Sequence, residues 1–274
     1  MKIWKLLAVC LAVPYFTASC DEKTEATAPA TTASTPASAS APPHLPPTPE
    51  PAASATPTWK KKLASECPAH PSTIDFGDQV ALEHEVRRKV GKDAGPITPA
   101  DLAQIKSINL SAAQGAQQLH QIDPCIFPMF TSLKDLFLGP GEYDDLTPIQ
   151  KLTTLDSLRA SSAPLKDIHP IEGLKRLDRL DLSHTLVGDD ELKAVGSLVN
   201  VTELMLDEDP ITDLTPVANL KKLERLSIKK TQVKNLAPIA TLRSLKFLYI
   251  AETPVSDITP VQPLIAGGMK LIQN

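Results

Sequence analysis

Apolar residues recur in a single register through nearly half of the chain. Within each unit the pattern L-x-x-L-x-L is typical of a short β-strand that buries one of its faces. Successive units start 22, 22, 24, 22 and 22 residues apart. They begin at Leu133, Leu155, Leu177, Val201, Leu223 and Leu245, and their closing leucines run from Leu152 to Leu264. Because one such unit cannot bury its own apolar side, the repetition predicts a stack of units.

Proline marks the segment that returns from one strand to the next. The cassette Asp213-Leu214-Thr215-Pro216-Val217 is one example, and prolines stand at the same place in four other units, as Pro148, Pro170, Pro238 and Pro260. Proline has no amide hydrogen, so it suits a segment outside the sheet. The 24-residue unit instead carries VGDDELKAV at residues 187–195, whose acidic start predicts a short helix and a local change of curvature.

These motifs make residues 105–264 resemble leucine-rich-repeat proteins of the internalin type, which have 22-residue repeats. The resemblance implies an α/β-type solenoid: a horseshoe with one parallel sheet on its concave face and short 3-10 or helical segments on its convex side. It also implies a protein partner held on the concave face. One position departs from the family's usual asparagine after each strand, and it holds Gly141, Ala163, Thr185, Asp209, Thr231 and Thr253.

Residues 59–104 are expected to form a helical N-terminal cap in front of the solenoid, which we place at residues 105–274. The stretch from Asp78 to Gly91 suits a helix in which Val80, Leu82, Val86 and Val90 face inward. Further on, Thr98 can cap a second, short helix that begins at Pro99. The segment 105–110 reads as the first strand, with Ile108 and Leu110 starting the core.

The first 19 residues read as a signal peptide, with Lys2 and Lys5 ahead of an apolar stretch. The sequence Thr17-Ala18-Ser19-Cys20 resembles the cleavage site of bacterial lipoproteins, which implies that Cys20 carries acyl chains. Thr17 stands where that family usually has an aliphatic residue. The alternative is an ordinary secretory signal that is cut nearby and leaves Cys20 as a free thiol.

Residues 20–58 predict a lipid-bearing cysteine followed by a disordered tether. This segment is dominated by Ala, Pro, Thr and Ser, and Leu45 is its one large aliphatic residue. Such a composition buries too little apolar surface to offset the entropy lost on ordering. The tether would let the folded body stand off a membrane.

The two cysteines of the exported body, Cys67 and Cys125, predict a disulfide between the cap and the first irregular unit. The alternative is a pair of buried free thiols. A metal site is not expected, because Cys67 and His70 are only half of one and no matching ligand pair follows.

Composition bounds the chemistry. Only 4% of the residues are aromatic, so the core must be built from aliphatic side chains. A net charge of -4, with no basic face evident along the chain, argues against nucleic acid as a partner. The six histidines are scattered and no HExxH, G-x-S-x-G or phosphate-binding glycine loop occurs. We therefore expect neither an enzyme nor a cofactor nor a small-molecule substrate.

Reading across the strands gives three ladders of side chains on the expected concave face. Six of these residues form the candidate binding set, because exposed aromatics, methionine and arginine dominate binding hot spots: Phe137, Arg179, Met205, Arg225, Phe247 and Tyr249. In the alternative interpretation, Arg179, Glu203 and Arg225 only neutralise one another across neighbouring strands. His184, near Asp207 and Glu208, could bind a weak cation, but a solvated surface histidine is the simpler interpretation.

The sequence thus indicates a membrane-anchored protein-protein interaction module of a bacterial cell envelope, facing either the periplasm or the cell surface. The alternative is a structural envelope lipoprotein that contacts peptidoglycan or other envelope components without a dedicated ligand.

Overall fold

A computed structural model describes residues 61–110 and 119–274. The predicted signal peptide, Cys20 and the tether lie outside these residues. No helix within the two described ranges is long and apolar enough to cross a membrane.

Eight short strands form one parallel sheet in which strand order follows chain order. Each strand is three residues long, and each pairs in register with the next. The strands are β1 (Ser107–Asn109), β2 (Asp135–Phe137), β3 (Ser157–Arg159), β4 (Arg179–Asp181), β5 (Glu203–Met205), β6 (Arg225–Ser227), β7 (Phe247–Tyr249) and β8 (Lys270–Ile272). The predicted solenoid with a single parallel sheet is confirmed.

Alternation along each strand sends its middle residue into the core. Leu180, Leu204 and Leu226 are all at most 1% exposed, and they stack on one another because the strands pair without a shift. Burial of one such side chain stabilises the fold by about 1.5–3 kcal/mol. The continuous column of leucines, rather than any single unit, therefore holds the sheet together.

The return segments are short 3-10 helices that begin at or next to the predicted prolines, because proline at the first turn costs no hydrogen bond. Their bounds are Thr147–Ile149, His169–Gly173, Thr215–Asn219, Ala237–Ile239 and Thr259–Val261. The 24-residue unit has the predicted convex helix instead, α3 (Leu192–Val195).

The cap contains the two predicted helices, α1 (Val80–Val90) and α2 (Pro99–Ala103), and a 3-10 turn at Ala64–Glu66. The Thr98 side chain accepts a hydrogen bond from the backbone of Asp101, as its capping role requires. The inward orientation predicted for Val80 is wrong: this residue is 58% exposed because it is the first residue of its helix. Another 3-10 turn, Phe127–Met129, precedes β2.

A disulfide joins Cys67 to Cys125 across 58 residues of sequence. It ties the segment before α1 to the irregular unit before β2, as the cysteine count predicted. The bond therefore fixes the start of the cap against the solenoid at a place where strand pairing supplies no contact.

At the other end, helix α4 (Gln262–Ala266) leads into β8, which the repeat pattern did not predict. Pairing of Phe247 with Lys270 shows why. In that register Gly268 occupies the place where the other units begin with Leu or Val, so the L-x-x-L-x-L motif is broken. Leu271 still packs against the core from the middle of the strand.

Candidate partner-binding face

The strand register places the outward side chains in the order expected from the sequence and extends two ladders onto β8. The first residues of the strands form one ladder, and the third residues form a second. The first ladder reads Ser107, Asp135, Ser157, Arg179, Glu203, Arg225, Phe247, Lys270; the second reads Asn109, Phe137, Arg159, Asp181, Met205, Ser227, Tyr249, Ile272.

Near the C-terminal end of the sheet, cations and aromatic rings form what we call the aromatic end: Arg225, Phe247, Tyr249 and Lys270. The guanidinium carbon of Arg225 lies 5.0 Å from the centre of the Phe247 ring, and the Lys270 ammonium lies 5.7 Å from the same ring. Phe247 and Tyr249 are each partly exposed. The ring is therefore held between two cations, an arrangement worth about 0.5–1 kcal/mol per contact at exposed sites.

Packing, more than hydrogen bonding, orients the Arg225 side chain. Its Nε atom is buried and has no hydrogen-bond partner among the described residues. The nearest carboxylate oxygen, on Glu203, lies 3.7 Å away, which is too far for a hydrogen bond. The rest of the guanidinium thus remains available to an incoming acceptor.

The structure does not bring all six predicted residues together. Met205 is two strands from Tyr249, and Arg179 is three strands from Phe247, or about 10 Å and 14 Å at the usual strand spacing. Phe137 is five strands from Tyr249, or about 24 Å. It contacts Arg159 instead, whose guanidinium carbon lies 5.3 Å from its ring centre.

Sequence reasoning missed two cations that contact these rings, Lys270 and Arg159. Lys270 lies beyond the last unit that carries the full repeat motif, so no ladder position was assigned to it. Arg159 does stand in a ladder, but its sequence context is that of an ordinary surface charge. Its neighbour Phe137 in the adjacent strand was the one available signal.

The alternative interpretation holds in part for the charges on this face. Arg225 lies 3.7 Å from Glu203 on the neighbouring strand, whereas Arg179 approaches Asp178 on its own rung, at 3.7 Å. The close pairs are Arg159 with Asp181 and Lys229 with Asp207, each at 3.0 Å. The centre of the face is thus largely neutralised, whereas Lys270 has no carboxylate within ion-pair distance among the described residues.

Comparison with solved structures identifies the architecture. Internalin C2 from Listeria monocytogenes is similar to this chain with 23% identity and a TM-score of 0.60, and the match covers 76% of this chain and 100% of that one. An internalin (inlF) from the same organism matches at 21% identity and a TM-score of 0.57, over 71% of this chain and 62% of that one. The fold is a leucine-rich-repeat solenoid. No protein-family model matches the sequence, and neither does any curated protein.

The turns that leave strands β3 to β7 of this leucine-rich-repeat solenoid are built alike. One residue per turn has a left-handed backbone, with φ between 56° and 63°, although none of the five is glycine: Ser162, His184, Glu208, Lys230 and Glu252. The amide of His184 donates to the carbonyl of Asp207, and the amide of Glu208 donates to that of Lys229. Hydrogen bonds between rungs thus offset a backbone cost of about 1–2 kcal/mol at each turn.

Directly after these turns, Asp209 occupies the position of the family's asparagine and is 2% exposed. Its Oδ1 atom accepts hydrogen bonds from the amide and the hydroxyl of Thr185, at 2.7 and 2.9 Å. Its Oδ2 atom is buried without a partner among the described residues. Burial raises the pKa of Asp209 to about 7, with a further contribution from the carboxylates of Asp181 and Asp207. The rung therefore contains a carboxyl group that is half protonated near neutral pH.

The predicted histidine grouping is a simple pair. His184 Nε2 lies 2.8 Å from a carboxylate oxygen of Glu208, and its side chain is 50% exposed. No group of three or more His, Cys, Asp or Glu side chains that could hold a metal occurs within residues 61–110 and 119–274.

Proposed function

We propose that this chain is a membrane-anchored protein-protein interaction module that binds its partner with the C-terminal part of the concave face. The observation that carries the proposal is the aromatic end, where two partly exposed rings lie beside two cations. Aromatic and arginine side chains with pre-set orientations supply most of the free energy in protein interfaces. The internalin-like fold supports the same use of the face, and Cys20 would supply the anchor.

The chemistry of the aromatic end favours a partner segment that combines a carboxylate with an apolar group. Lys270 is not paired with a carboxylate in the described part of the chain, and the guanidinium of Arg225 meets Glu203 only at 3.7 Å. A partner carboxylate could therefore bind Lys270 without displacing an existing ion pair, and it would meet only a long one at Arg225. The faces of Phe247 and Tyr249 would receive the adjoining apolar side chain.

Site-directed photo-crosslinking in intact cells tests the proposal. A photoreactive residue replaces Tyr249 in one full-length variant and Phe137 in a second, because both side chains belong to the same ladder but lie five strands apart. We expect one discrete protein adduct from position 249, lost when Phe247→Ala is added, and a much weaker one from position 137. Equal adducts from both positions, or none from 249, would contradict the proposal.

Sedimentation with purified peptidoglycan separates this function from the structural alternative. A structural envelope protein should sediment with the wall material whether or not Phe247 and Tyr249 are replaced by alanine.

A further inference from the structure

One flank of the solenoid is strongly basic. The chain enters each strand along this flank, through the last residues of the preceding unit and the residue just before the strand. Three partly buried acidic residues lie there, Asp156, Asp178 and Glu224, and the exposed Glu172 stands at its border with the return segments. The basic residues of the flank are all exposed, and together we call them the basic edge: Lys106, Lys134, Lys151, Lys175, Arg176, Lys221, Lys222, Arg243 and Lys246.

The opposite flank, along which the chain leaves the strands, is acidic. Its basic residues are only four, Lys166, Lys193, Lys230 and Lys234. Its acidic residues outside the core are Glu142, Asp144, Asp145, Asp167, Asp189, Asp190, Glu191, Glu208, Asp213, Glu252 and Asp257. The net charge of the chain hides this separation, because the two flanks cancel in the sum. The expectation that no basic face exists is therefore wrong.

Internal ion pairs neutralise only part of the basic edge. Lys134 and Arg176 share the carboxylate of Asp156, at 3.5 and 3.1 Å, and Lys246 pairs with Glu224.

Three other cations along the edge contact neutral groups. Lys175 donates to the carbonyl of Ser197, Lys221 to the hydroxyl of Thr241 and Lys222 to the amide oxygen of Asn200. Such hydrogen bonds leave the positive charge uncompensated, so the edge retains a substantial positive potential.

The arrangement of these charges suits an extended anionic surface. From Lys106 before β1 to Lys246 before β7 there are six strand steps, or about 29 Å along the stack. The cations sit on long, solvated side chains along one line. That line has neither the interleaved aromatic rings that stack on single-stranded nucleic acid nor a recognition helix that could enter a duplex groove, since none of the basic-edge residues lies on a helix.

We infer that the basic edge docks the solenoid onto anionic phospholipid headgroups. Juxtamembrane cations are attracted to such surfaces within a Debye length, and a tether from Cys20 would keep the edge within reach. Docking by this edge turns the acidic flank away from the lipid. The concave face lies between the two flanks, so it remains accessible to a protein partner that approaches along the membrane. The inference rests on the anchor in the proposed function, and not on the aromatic end.

Two exposed apolar residues of the 24-residue unit offer matched probe positions on the two flanks. Val199 is 50% exposed within the row of Lys175 and Lys221, and Leu186 is 47% exposed on the acidic flank. Full-length chains carrying Cys10→Ser, Cys20→Ser and either Val199→Cys or Leu186→Cys are labelled with a fluorophore. They are then mixed with vesicles that contain spin-labelled headgroups and either phosphatidylglycerol or phosphatidylcholine alone. The N-terminal apolar segment is common to every sample and cannot produce a difference between flanks.

We expect several-fold stronger quenching at position 199 than at 186, only with phosphatidylglycerol, and its loss at high salt. Replacing Lys175, Lys221, Lys222 and Arg243 by glutamine should raise the lipid concentration needed for half-maximal quenching roughly tenfold or more. The matched control changes Lys166, Lys193, Lys230 and Lys234 to glutamine, which alters the net charge equally on the acidic flank and should leave the quenching at 199 in place.

Equal quenching on the two flanks, quenching independent of lipid charge, or equal loss in both sets of variants would overturn the inference. Binding of labelled polyglutamate by the basic edge without lipid-dependent quenching would also overturn it, and would assign the edge to an acidic protein instead.

Discussion

Replacing Asp209 by asparagine should make the solenoid more stable at and above neutral pH. The carboxyl is buried, and its pKa in the folded chain is about 7, against 3.8 in an exposed aspartate. The folded state therefore holds a proton that the unfolded state has already released. The contribution of Asp209 to the free energy of unfolding therefore falls as pH rises from about 4 to about 7, and it stays low above pH 7. For this one group the loss between pH 5 and pH 8 is about 2.5 kcal/mol.

Asparagine keeps the shape of the side chain and can still accept the two hydrogen bonds from Thr185, but it does not ionise. Urea unfolding gives the free energy of unfolding of wild type and of Asp209→Asn at pH 5 and at pH 8. The effect is the change, between these two pH values, in the difference between the two proteins. Other titrating pairs, such as His169 with Asp167, are common to both proteins and cancel.

The control is Asp257→Asn, an exposed aspartate whose pKa is lowered by hydrogen bonds from Thr259. The stabilisation that comes from this lowered pKa is present above the pKa of the unfolded state and is constant between pH 5 and pH 8. The difference in free energy of unfolding between wild type and Asp257→Asn should therefore not change across this window. If the difference between wild type and Asp209→Asn is also the same at pH 5 and pH 8, the buried carboxyl does not titrate near neutral pH and the prediction is wrong.

Three further outcomes are expected. Cys125→Ser should lower the free energy of unfolding by about 4 kcal/mol, from the loop-closure entropy of two cysteines 58 positions apart, and denaturant titration against the oxidised wild type checks this. Leu204→Ala, in the middle of the leucine column, should cost about 2.7–5 kcal/mol in the same assay, whereas a cost below 1 kcal/mol would mean that the units do not unfold together. Intact-mass measurement of the wild-type chain from the membrane fraction should show acyl groups that the Cys20→Ser chain lacks; an unmodified wild-type mass would refute lipidation.

The repeat register was readable from the sequence because each unit repeats its local chemistry. Leu136, Leu158 and Leu180 recur every 22 residues, and strand alternation then dictates that they point inward. Pro216 and its equivalents mark the return segments for a reason that concerns only their own backbone. Thr98 caps a helix through a contact only three residues away. These elements depend on neighbours in sequence, so no knowledge of the packed structure was needed.

The features of the candidate binding faces arise from contacts between residues about 22 positions apart, and only the tertiary structure decided them. Stacking places Arg225 over Phe247, leaves Phe137 five strands away, and forms β8 although Gly268 breaks the motif. It also places the basic and the acidic side chains on two separate flanks. The net charge cannot show this separation, because it adds the charges without regard to where they lie. The protonation of Asp209 depends on solvent excluded by the neighbouring rungs, and that exclusion exists only once the units are stacked.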